Sequence, residues 1–74
     1  MDSLSELIAM KRREVQWSEE DLARQASLSP RRIRALETGQ ETFGLEVLSR
    51  IASAFNTSVL ELIAEAEDLK NYRH

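Results

Sequence analysis

Three arginines crowd one short stretch of this sequence, at Arg31, Arg32 and Arg34, with no acidic residue among them. A guanidinium is planar, permanently charged and donates hydrogen bonds in a rigid fork, so such a cluster suits oxyanions and flat arrays of acceptor atoms. The surrounding chain is acidic, with 10 Lys and Arg against 13 Asp and Glu over 74 residues and a net charge of −3. The stretch thus reverses the sign of its surroundings. Other chemistry finds little support. Cysteine is absent, which removes thiol nucleophiles, disulfides and thiolate metal sites. The one histidine is the last residue, His74, and the carboxylates gather at helix starts or on polar faces with no nucleophile and base paired among them. No catalytic residue, metal, cofactor or small-molecule substrate is expected, and the chain does not read as an enzyme.

The arginines must be held by the elements around them, and residues 18–39 read as two short helices joined by a tight turn. Ser18 opens the first of these, with Asp21 completing a capping box, and Glu19, Glu20 and Asp21 lie where the helix dipole favours negative charge. Leu22, Ala23 and Ala26 form its inner face, and Trp17 is expected to pack back as a staple or core residue. Ala26, Ser27, Leu28 and Ser29 make the turn. The second helix has Ser29 as N-cap and Pro30 at its first position, where a missing N–H is no loss. Gly39 ends it as a left-handed C-cap. At about 100° per residue from Arg31, Ala35 falls at about 40° and Arg34 at about −60°, whereas Leu36 and Ile33 fall at about 140° and 200°. The helix therefore has an apolar back and a basic front, with Arg32 on the flank at about 100°.

The rest of the chain reads as more short helices. One begins near Ser3, with Glu6 as capping-box partner and Leu4, Leu7, Ile8, Lys11 and Val15 along one stripe. Lys11, Arg12 and Arg13 close it at the end that favours cations. After a loop over residues 40–44, Leu45, Leu48, Ile51, Ala52 and Phe55 mark a fourth helix. Asn56 and Thr57 break it, and Ser58 with Glu61 caps a fifth over about residues 58–70, carrying Val59, Leu60, Leu62, Ile63, Ala66, Leu69 and Tyr72. A tail fraying after about Glu67 is the alternative. The expected fold is all-α, a compact five-helix bundle forming a single domain over residues 1–74, since this length buries one small core. Residues 1–40 balance seven basic against seven acidic side chains, and residues 41–74 hold three against six. The longest apolar runs are too short to span a bilayer and no signal-peptide pattern is present, so no membrane partner and a cytoplasmic location are expected.

Leu22 and Ala23, Leu28 and Ser29, Ile33, Leu36 and Glu37, Gly39, Leu45 and Glu46, Leu48, Ile51 and Ala52, Ala54 and Ser58 form a spaced set. With this set the chain resembles the helix-turn-helix family of phage repressors, Cro proteins and related bacterial regulators (XRE-like), over roughly residues 4–63. The resemblance implies that residues 29–37 are a recognition helix lying in the major groove of double-stranded DNA. Arg31 matches a base-reading position and is suited to guanine O6 and N7, with Arg34 and Ala35 as further base-contacting residues. Phosphate contacts are implied for Ser29, Arg32, Arg12, Thr42 and Gly44, with Arg32 and Arg34 able to act as secondary readers or phosphate contacts. Pro30 stands where many relatives carry a polar reader. Arg12 and Glu37 match a family ion pair that reads as more structural than functional. Glu19 stands where the family often has Gln against a phosphate, and the loop with Glu41 is less basic than usual, so the salt dependence is expected to be shallow.

Family members commonly dimerise between the last two helices, here Phe55, Val59, Leu60 and Ile63. A homodimer sets two recognition helices about 34 Å apart, one DNA turn, and so implies a roughly palindromic operator. The expected function is a sequence-specific DNA-binding transcriptional regulator, most simply a repressor. No second sensing domain fits, so regulation is expected from protein level, dimerisation or a regulatory protein partner. The rival reading is a protein-interaction module, antitoxin-like or an anti-repressor partner, in which Glu19 and Glu41 have weakened groove binding or removed it.

Overall fold

The structure is a computed structural model that describes residues 3–72, the last of them by its backbone alone. Its elements are α1 (Ser3–Glu14), α2 (Glu19–Ala26), α3 (Pro30–Glu37), α4 (Leu45–Ala54) and α5 (Val59–Tyr72), with no strand among the described residues. His74 and the side chain of Tyr72 lie outside the described residues. Among the described residues no single helix is long and apolar enough to cross a membrane.

Local sequence sets the helix boundaries. Ser18 Oγ accepts from the Asp21 N–H at 3.0 Å while Asp21 Oδ2 accepts from the Ser18 N–H at 2.9 Å, so a reciprocal box opens α2. Ser27, at φ 57°, turns the chain into the left-handed region, and the Leu28 N–H reaches back to the Ala23 carbonyl at 2.8 Å. Two residues later Ser29 Oγ accepts from the Arg32 N–H at 3.2 Å, and Pro30 starts α3. Gly39 follows α3 at φ +79°, where a side chain would be strained by the backbone although the space around it is open. Ser58 caps α5 by accepting from the Glu61 N–H at 3.1 Å, but its hydroxyl is then 3.4 Å from Glu61 Oε1, so the expected return bond from the Ser58 N–H is not the one formed.

These boundaries let each helix bury one face. α2 lies against α3 and α4, α1 against α3 and α5, and α4 meets α5. Ile8, Leu22, Ile33, Leu36, Ile51 and Leu62 are wholly enclosed, at least one from each helix. Burying such a side chain stabilises the fold by about 2 kcal/mol. Trp17 packs at the edge of this core, its ring stacked on Phe55 with centroids 5.6 Å apart. It joins the α1–α2 turn to the end of α4, rather than only stapling α2.

Three positions depart from the periodic reading. Leu45 is 76% exposed, and Val47 takes the buried place on α4. Leu45 is the first residue of its helix, where the direction of the stripe has no neighbour to meet. Val15 is also exposed because α1 has ended at Glu14 and helical register no longer governs it. Ser5 is enclosed instead, and its hydroxyl has no hydrogen-bond partner.

Candidate nucleic-acid interface

α3 is presented by α1 and α2. Its back carries Ile33 and Leu36, both fully buried, and its front and flank carry Arg31, Arg32 and Arg34, all exposed, with Ala35 half-buried between them. A shallow concavity on this face is lined by the three arginines, Ala35, Gln40 and Glu41. The helical angles therefore placed these side chains on the correct side. Gln40 was not anticipated there; it reaches the face because its N–H bonds back to the Ala35 carbonyl at 2.8 Å, folding the chain after Gly39 against α3.

A largely buried ion pair pins α1 to α3. Arg12 Nε and Nη2 donate to Glu37 Oε2 and Oε1 at 2.7 and 3.0 Å, and Arg12 Nη1 donates to the Trp17 carbonyl at 2.8 Å. The side chains are 14% and 6% exposed. The hydrogen bond to Glu37 raises the Arg12 pKa above its usual value despite the opposing effect of burial, so the guanidinium is charged throughout the accessible pH range. With three N–H groups engaged and little surface left, Arg12 is held by the scaffold in this structure.

Two of the three arginines on α3 also have carboxylate partners. Arg34 Nη2 and Nε point at Glu19 Oε1 and Oε2, at 3.1 and 3.5 Å. Arg32 Nη2 and Nε both donate to Glu41 Oε2, at 2.8 and 3.2 Å. Glu41 raises the Arg32 pKa, by hydrogen bonding first and charge second. In each pair the arginine is the more exposed member, 72% against 25% for Arg34 and Glu19 and 45% against 32% for Arg32 and Glu41. Among the described residues Arg31 has no ion-pair partner. Glu19, which stands where the family often has Gln against a phosphate, and Glu41, which makes the loop before α4 less basic, both pair with arginines of α3. Separations of 15 and 9 residues carry no periodic signal, so only the assembled turn brings these charges together.

The other residues expected to contact DNA are at the surface. Ser29 is exposed at the N-terminus of α3, with its hydroxyl holding the Arg32 N–H. Thr42 and Gly44 are exposed before α4, and Gly44 caps that helix without a side-chain bond. On α5, Leu60 and Ile63 are 77% and 43% exposed, while Val59 on the same helix and Phe55 at the end of α4 are half-buried against the core. Among the described residues, no group of three or more His, Cys, Asp or Glu is placed to hold a metal ion.

The comparisons agree with this geometry. A model of the helix-turn-helix family matches residues 8–62. No curated protein matches the sequence. Among solved structures, the clp gene regulator ClgR from Corynebacterium glutamicum superposes with a TM-score of 0.86 at 22% identity, covering 97% of this chain and 77% of that one. A second ClgR structure gives 0.81 at 24% identity, covering 90% and 87%. A mutant of the restriction-modification controller protein C.Esp1396I gives 0.86 at 20% identity, covering 99% and 94%. At these identities the superpositions establish a shared fold.

Proposed function

The chain belongs to the helix-turn-helix family, and on that premise we propose that it is a double-stranded DNA-binding transcriptional regulator, most simply a repressor acting in the cytoplasm as a homodimer. The observation that carries this reading is the face of α3: an exposed arginine front on a helix whose back is fixed by Ile33 and Leu36. Arg31, Arg34 and Ala35 face base edges, and Ser29, Arg32, Thr42 and Gly44 meet phosphates. Arg12 is left to Glu37. Phe55, Val59, Leu60 and Ile63 form the two-fold contact, which sets the recognition helices about 34 Å apart on a roughly palindromic operator. A dimer would cover the apolar side chains of Leu60 and Ile63 that α5 leaves in solvent.

Selection of bound sequences from a random duplex pool tests the reading. Wild type is expected to enrich a two-fold symmetric sequence. Arg31→Ala should lose preference at one position in each half-site, by about tenfold for a bidentate guanine contact. Enrichment of nothing, even at low salt, would remove the proposal.

A second reading draws on a specific observation. With Arg32 and Arg34 each opposite a carboxylate, Arg31 is the arginine of α3 left without an ion pair among the described residues. That is a small cationic surplus for a duplex, and it favours a protein-interaction module whose partner is another regulator. Copurification with such a protein, together with failure to bind duplex at low salt, would decide for it.

A further inference from the structure

Arg34 is held along one edge only. Its Nε and Nη2 face the two Glu19 oxygens, so the outer Nη1 and Nη2 edge has no carboxylate against it among the described residues. Glu19 is the more shielded member of the pair and is itself the first residue of α2, a position fixed by the Ser18 cap. A guanidinium paired in this way is biased toward one plane and one extension. Its free edge matches two acceptors side by side, as on guanine O6 and N7, without breaking the pair. A phosphate makes a different demand. Phosphate oxygens compete for the same cation that the carboxylate neutralises, and like charges then oppose each other across the arginine.

On the duplex-binding reading above, we propose that Glu19 is a positioning residue for Arg34, directing that arginine to a base edge and away from the phosphate backbone, and so sets sequence discrimination rather than affinity. Among the described residues Arg31 has no such carboxylate, so more of its ordering falls on binding than for Arg34, which the pair biases toward one pose. Glu41 holds the same edge of Arg32, but through one oxygen, on the flank of α3. Generic attraction to DNA is reduced by both pairs, because a neutralised arginine releases fewer counterions.

The test compares wild type, Arg34→Ala and Glu19→Gln in a selection from a random pool of duplexes about 20 base pairs long, enough for two half-sites one turn apart. Affinities for the selected sequence and the unselected pool are then measured over a range of salt. Arg34→Ala should erase preference at one position of each half-site, and Glu19→Gln should weaken preference at that same position by about tenfold. Glu19→Gln should also bind the unselected pool more tightly, with the slope of log K against log salt steeper by about one. Thermal melts should coincide with wild type, since the pair is exposed. If Glu19→Gln tightens both duplexes by one factor and leaves every positional preference intact, Glu19 is merely repulsive and the inference is overturned while the duplex-binding reading stands. If wild type enriches no sequence, both fall together.

Discussion

The Arg12–Glu37 pair and the Arg34–Glu19 pair use the same chemistry in two regions of the molecule, and their surroundings give them different consequences. In both, Nε and Nη2 of the arginine meet a carboxylate. The first lies between α1 and α3 with both side chains largely withdrawn from water, and the second lies on the outer face with the arginine in solvent. Water screens the outer pair and can replace either partner, so its contribution to stability is small. The inner pair is far less exposed to such replacement, and the loss of one partner strands a charge. The inner pair therefore fixes the pose of α3, and the outer one is free to govern what α3 touches.

The largest expected effect comes from breaking the inner pair. Glu37→Ala should lower stability by about 3–5 kcal/mol, measured by urea unfolding followed by circular dichroism, because Arg12 is left charged and uncompensated. Replacing both partners, Arg12→Met with Glu37→Leu, should recover most of the loss. Glu41→Gln on the outer face should leave the unfolding midpoint where it was. A small loss in Glu37→Ala would mean that water reaches Arg12, and the contrast between the two regions would fail.

What could be read from the sequence divides along similar lines. The caps at Ser18, Ser29, Gly39 and Ser58 were legible because each depends on residues within a few positions of one another. Ile33 and Leu36 were legible from helical period alone. Leu45 was misjudged because period gives a direction and not the presence of a neighbour, and its exposure is a fact about the end of the bundle. The left-handed turn at Ser27 was placed in the right segment but not on its residue, since serine has no special preference for positive φ. The pairing of Glu19 with Arg34 was the least legible. Both charges were visible, but their meeting depends on how α2 and α3 cross.

Ser5 sharpens the comparison by supplying a buried polar group with no partner at all. Glu37 shows that burial of a polar atom is tolerated when every acceptor is engaged; the Ser5 hydroxyl has lost water and gained nothing. Ser5→Ala should therefore raise stability by about 1 kcal/mol, from relief of that desolvation, and alanine also favours the interior of α1. The shift in urea midpoint checks it. A destabilised variant would show that an ordered water satisfies the hydroxyl, and Ser5 would then belong with Glu37 as a satisfied group.

The smallest expected effect lies at the solvent-exposed extreme, in the cap of α2. Hydrogen bonds from Ser18, backbone first and side chain second, lower the Asp21 pKa below the usual aspartate value, with Arg24 adding a smaller attraction. The folded state therefore binds this proton less readily than the unfolded chain does. The stabilisation is complete above the unfolded value of about 4 and is lost as pH falls through the lowered folded value. The difference in stability between wild type and Asp21→Ala should accordingly be constant from neutral pH down to about pH 5 and shrink below that, because alanine has no proton to bind. Helix propensity shifts the whole difference without bending it. A difference that stayed flat into the acid range would mean that Ser18 holds neutral and charged Asp21 equally well, and that the capping box depends on shape alone.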